Sequence, residues 1–241
     1  MSRRAAAAVV LTAFLAVVAG SSSAPASGPS PWDHDADLDL VASANPSAAQ
    51  PVVADDVFDV SSAFRRSVTA RVTATGSAIC DGCDATGTAL QVVYVNGGRQ
   101  AGLDNTAVAW SQDCTDCAAT ALSVQVVVLR GVPALVPNNR ALAANAACTS
   151  CRADSAAYQL VVSSARRSDR LSYSALAELR AWVADQAAAM RATPAPAAAR
   201  TSRAAQKHAQ RVAESDLGTL EDLVTADLGA DTVAADVDLS D

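Results

Sequence analysis

A Cys-x-x-Cys motif recurs at one fixed interval: Cys80 and Cys83 return as Cys114 and Cys117, then as Cys148 and Cys151, each step being 34 residues. Self-similarity at a period of this size means stacked structural units, each too small to bury its own apolar face and each covering its neighbour's. The identity spreads beyond cysteine. Gln91, Gln125 and Gln159 occupy one repeat position; Asn105 and Asn139 occupy another, where the third copy has Tyr173. Each copy has one segment that alternates as a strand, over 88–95, 122–129 and 156–163. Leu90, Val92 and Tyr94 fall on one face, and Val124, Val126, Val128 and Tyr158, Leu160, Val162 follow them, a core face of period two. The other face carries Ala or Ser, then Gln, then Val. A turn with Gly, Asn or Pro leads to a second strand over 105–112 and 139–145, and a helical pattern replaces that strand in the third copy. A β-like run over 67–79 precedes the first motif. The expected fold is mainly β: about six strands from the repeats and one before them, in a short β-solenoid or open repeat sheet, with C-terminal α-helices as a cap.

The remaining segments divide by composition. Residues 1–26 read as a secretory signal: Arg3 and Arg4, an apolar run over 5–19 too short to span a bilayer, then small residues. Residues 27–60, rich in Pro, Ser, Ala and Asp, read as a disordered stalk. Its alternating Asp33, Asp35, Asp37 and Asp39 lack the turn glycine and closing glutamate of a calcium loop, and read as a solvated acidic stretch. The repeat domain is expected over 61–171. A capping helix over 172–192 follows, with Leu176, Leu179, Val183, Ala187 and Met190 in one stripe. A Pro/Ala linker covers 193–201. A second helix runs over 202–229, capped by Ser202, interrupted at Gly218 and stopped at Gly229. The acidic tail over 230–241 is expected to be disordered.

The apolar fraction of 51% is largely alanine and aromatic residues are 4%. Alanine removes little area from water, so such a chain is expected to need a staple besides its core. A net charge of −7 opposes nucleic acid and anionic membranes at long range, which leaves a protein or cell-wall partner. Arg200, Arg203, Lys207 and Arg211 form a basic stripe read as a solvated helix face, and Trp110 is expected to be buried with Val108.

The six cysteines admit three readings. As structural disulfides they fit an exported chain with an even count, the simplest assumption being pairing inside each motif: Cys80–Cys83, Cys114–Cys117 and Cys148–Cys151. Strands one ladder step apart, ~4.8 Å, also allow pairing between neighbouring units. As redox pairs they would need a helix start or a positive neighbour, whereas Asp81 and Asp116 stand inside two of the motifs. As zinc ligands, two pairs make a tetrahedral thiolate site and one pair is left over. Gln91, Gln125 and Gln159, and likewise Asn105 and Asn139, are expected to bond to one another as ladders, because an amide on a half-buried sheet face needs partners.

With these repeated motifs, the Ala-Tyr-Gln-Leu-Val-Val segment at 157–162 and the polar helix after it, the chain resembles, over 68–228, a family of secreted actinobacterial proteins of unknown function. Some relatives bear the label of peptide zinc metalloproteases. Such enzymes use His-Glu-x-x-His, and this chain has only His34 and His208, far apart. No catalytic residue, metal ligand or cofactor is therefore expected, and no membrane span once the leader is removed. The expected function is a secreted, non-catalytic scaffold or interaction protein of the cell exterior, stabilised by disulfides. Two alternatives stand beside it: a secreted thiol–disulfide redox protein, and an accessory or carrier in a peptide-processing system, which the relatives' label alone suggests.

Overall fold

The computed structural model describes residues 35–131, 133–166, 169–192 and 203–240. The leader, the Pro/Ala linker, Arg200 and Ser202 lie outside them. Period-two alternation produces strands β1 (Asp35–Ala44), β2 (Val52–Ala63), β3 (Ser67–Ala78), β4 (Asp84–Asn96), β5 (Gln100–Gln112), β6 (Ala118–Arg130), β7 (Ala134–Ala146) and β8 (Arg152–Ser163). Helices α1 (Tyr173–Ala192) and α2 (Arg203–Leu228) follow, then β9 (Asp231–Ser240). The first sheet has the order β1-β3-β5-β7 and the second β2-β4-β6-β8-β9. Strands β1 to β8 pair in parallel, and successive strands lie in opposite sheets, so the chain winds as a β-solenoid of about four turns. Of the two sequence expectations, solenoid or open sheet, the solenoid is the fold.

Each repeat is one turn. Gln91 pairs in register with Gln125 and Gln125 with Gln159, 34 positions apart each time. The interior is a wedge. Near the cysteine corner Ala74, Ala78, Ala85, Ala109, Ala119, Ala121 and Ala153 fill it; at the far side Val68, Val93, Val95, Leu103, Val127 and Leu129 do. Alanine is thus the size that the narrow end accepts. At its tightest, a Cβ added to Gly76 would come within 2.5 Å of the Thr120 carbonyl oxygen, and one at Gly87 closer still to that of Thr75. Both glycines are needed for close approach of backbone to backbone.

The second sheet is buried on both faces. Its outward residues Leu90, Val92, Tyr94, Val126, Tyr158 and Leu160 pack against Leu179 and Val183 of α1 and Leu217, Leu220 and Val224 of α2. Tyr158 meets Trp182 edge to face, with centroids 5.3 Å apart, a favoured aromatic geometry. Ser172 caps α1: its Oγ accepts the Ala175 N–H at 3.1 Å, and Asp227 of α2 accepts both the Ser172 N–H and its hydroxyl. Gly229, at φ 57°, ends α2, and the Ala230 N–H bonds back to the Thr225 carbonyl, a Schellman closure. Gly218 does not interrupt α2, which runs unbroken through it.

Several expectations need correction. Residues 35–44 and 52–60, read as stalk, are β1 and most of β2, the first solenoid turn. Ala42 and Ala44 are buried, and Asp37 and Asp39 are held by Arg71 on β3. The tail over 230–241 contains β9, antiparallel to β8. The solenoid therefore has eight strands among the described residues, not seven, and starts well before residue 61. Trp110 and Val108 are half-buried on the outward face of the first sheet, because the inward positions belong to Ala107 and Ala109.

Candidate functional site: the cysteine corner and the amide ladders

The three Cys-x-x-Cys motifs stack as one corner between the sheets. In each, the residue before the second cysteine takes the left-handed conformation: Gly82 at φ 66°, Asp116 at 55° and Ser150 at 58°. Gly and Asp reach that region at low cost, which accounts for their presence there. The corner's backbone groups bond from turn to turn. Gly82 N–H donates to Thr115 O at 2.8 Å, Asp116 N–H to Thr149 O at 2.9 Å, and Thr149 N–H to Cys114 O at 3.1 Å. The motifs are strand-to-strand turns and open no helix, so no helix N-terminus acts on their sulfurs.

Cys80–Cys83 and Cys114–Cys117 are disulfides. The third motif departs from the assumed pairing: Cys148 and Cys151 are free thiols. Their sulfurs face the turn below. Cys148 Sγ lies 3.6 Å from Cys114 Sγ, and Cys151 Sγ lies 3.5 Å from Cys117 Sγ and 3.7 Å from Cys114 Sγ. All four sulfurs fall within 4.8 Å of one another. Burial pushes the Cys151 thiol up, its contact with Cys148 adding to the effect.

Among the described residues these four are the group of side chains placed to hold a metal ion. A hydrolytic zinc keeps an open position, usually among nitrogen and oxygen ligands. Here every ligand would be sulfur, and two are joined in a bond that offers no thiolate. The Asp116 and Thr149 N–H groups beside these sulfurs bond between turns instead. The donor set does not fit a catalytic metal.

The glutamines form a column between the sheets. Gln159 Nε2 donates to Gln125 Oε1 at 2.8 Å, and Gln125 Nε2 to Gln91 Oε1 at 3.0 Å. Each also reaches a carbonyl of the first sheet: Gln159 to Asn138, Gln125 to Ala70, Gln91 to Leu38 and Arg71. From the first sheet Asn105 Nδ2 donates to Asn139 Oδ1 at 2.7 Å and to the Tyr158 carbonyl of the second at 2.9 Å. These amides hold two sheets that share no backbone ladder. Ionisable residues stand at both ends of the glutamine column, Asp59 pairing in register with Gln91 and Asp236 with Gln159.

Asp236 belongs to a device that sequence reasoning missed. Its carboxylate accepts from Asn139 Nδ2 at 3.1 Å, Asp238 accepts the Ala141 N–H at 2.8 Å, and Ser240 Oγ accepts the Ala143 N–H at 2.9 Å. The side chains of β9 thus satisfy N–H groups along the last strand of the first sheet. Asp at every second position was the available signal.

The outward face of the first sheet is left open among the described residues. Thr73, Thr106 and Arg140 form one row across it, Thr75, Val108 and Leu142 the next, and Ser77, Trp110 and Ala144 the third; Leu142 is 59% exposed. Among the described residues a shallow cavity of about 230 Å³ lies between β2, β4 and α1, lined in part by Asp56, Phe58, Thr88 and Arg180. No nucleophile, base and oxyanion donor converge there.

Fold and corner together define the chain as a parallel, two-sheet β-solenoid with stacked Cys-x-x-Cys turns. No family model, no curated protein and no solved structure matches it.

Proposed function

We propose that this is an exported, non-catalytic scaffold that presents the open face of its first sheet to a protein or cell-wall partner. The observation that carries the reading is the contrast between the two sheets. The second is sealed by α1 and α2, whereas the first turns a flat, threonine-lined surface with Val108, Trp110 and Leu142 outward. Aromatic anchors in such patches contribute most to association. The buried amides bond to one another within the solenoid interior. Stable export fits disulfide-closed corners.

The test is co-sedimentation of the mature protein with isolated cell envelope of the producing organism, comparing wild type with a Trp110→Asp/Leu142→Asp double variant and with Arg211→Asp on α2. Binding that falls roughly tenfold or more in the double variant and holds in the α2 variant is the expected result. Equal binding by all three, or none by wild type, contradicts the proposal. The sulfur cluster gives the secreted thiol–disulfide protein a specific footing as a second reading. That reading requires insulin reduction that disappears with Cys148→Ser.

A further inference from the structure

The six cysteines are not three equivalent pairs. Cys80–Cys83 closes its own corner, while Cys114, Cys117, Cys148 and Cys151 form one group with a disulfide and two thiols in mutual reach. The cross-turn neighbours Cys114 and Cys148, and Cys117 and Cys151, are each 34 residues apart and so at equivalent places in successive turns. Their sulfurs are 3.6 and 3.5 Å apart. Parallel strands one step apart, ~4.8 Å, lie within the Cα separation that a disulfide bridges.

We propose that this corner is a thiol–disulfide exchange site in which the Cys114–Cys117 bond passes to Cys114–Cys148, covalently joining the third and fourth turns of the solenoid. The proposal stands whether or not the scaffold role is correct. Cys148 gives its proton to solvent, and its thiolate attacks Cys114 Sγ. The Cys114–Cys148 bond forms as the Cys114–Cys117 bond breaks, and the electron pair leaves on Cys117, which takes up a proton. One disulfide and two thiols exist before and after, so no oxidant is consumed. Cys148 is the attacking sulfur because its Sγ lies 3.6 Å from Cys114 Sγ, while the sulfur that departs, Cys117, already faces Cys151 at 3.5 Å. The product leaves Cys117 beside Cys151, and a small-molecule disulfide such as oxidised glutathione closes that pair too, with two equivalents of reduced thiol released.

Trypsin distinguishes the states cleanly, because Arg99, Arg130, Arg140 and Arg152 place each motif in its own peptide. The full mature protein is held at mildly alkaline pH with a trace of reduced glutathione, quenched with acid, alkylated, denatured and digested without reduction. The expected result is a covalently joined pair, 100–130 with 141–152, with Cys114 bonded to Cys148 in the fragment spectrum. Replacing Cys148 by Ser should reduce that species to background, and a Cys80→Ser/Cys83→Ser chain should retain it. Absence of the joined peptide from wild type overturns the proposal. So does its undiminished presence in the Cys148→Ser chain. Recovery of wild type in native mass spectrometry with one bound zinc and four thiols released only on denaturation also overturns it, in favour of a tetrathiolate metal site.

Discussion

Gln125 holds the middle of the glutamine column. It accepts from Gln159, donates to Gln91 and reaches across to the first sheet. A buried polar group left without its partner costs about 1–3 kcal/mol, more than the bond itself contributes. Gln125→Leu strands a donor above and an acceptor below, so it is expected to cost roughly 2–4 kcal/mol in urea unfolding. Replacing all three glutamines by Leu is expected to cost well under three times as much, since partners then vanish together. Asp216 gives a pH prediction. Burial holds its carboxyl above the ordinary range, partly offset by a hydrogen bond from Gln186. The folded chain therefore binds that proton more tightly than the unfolded one. The favourable contribution is complete below the ordinary aspartate pKa and is lost as pH rises through the raised native value. Asp216→Asn should raise stability at neutral pH by on the order of 0.5 kcal/mol, the group being partly solvated. In thermal melts that advantage should disappear in acid.

At the scale of elements, β9 is what ends the solenoid. An exposed parallel edge invites another chain to pair with it. Here β9 pairs with β8, while Asp236, Asp238 and Ser240 reach across to groups on β7. A chain truncated after Gly229 is expected to self-associate, read as a concentration-dependent rise in mass by light scattering, with full-length protein unaffected. The same element shows where sequence reading stops. The repeat strands were legible because their apolar and amide positions recur every 34 residues. In β9 and β1 the alternating partner of an apolar residue is Asp, and by composition such a stretch reads as disorder. Those aspartates are used: Asp37 and Asp39 meet Arg71, and Asp238 meets a backbone N–H. The first turn was hidden further by its lack of cysteine and by its spacing, since Val52 pairs with Asp84, 32 positions on. The cysteine corner was legible as a place, and the amide columns as an expectation of partners. The inequality of the three cysteine pairs was not, because it depends on which turns lie side by side.

For the whole molecule, stability comes from stacking, with the corners as local pins. Closing a four-residue loop restricts the unfolded chain only modestly, so Cys80→Ala/Cys83→Ala should cost about 2 kcal/mol and leave the far-ultraviolet circular dichroism of the fold intact. The alanine-rich interior, low in area per residue, is compensated by sheet-to-sheet approach at the narrow end and by helices over the second sheet. The winding places β4 against β6 and not against β5. Nuclear Overhauser spectra of labelled protein test this directly. We predict side-chain amide contacts running Gln91 to Gln125 to Gln159, with parallel backbone contacts between residues 34 apart along β4, β6 and β8. Antiparallel contacts between β4 and β5, or between β6 and β7, would contradict the solenoid and everything derived from it.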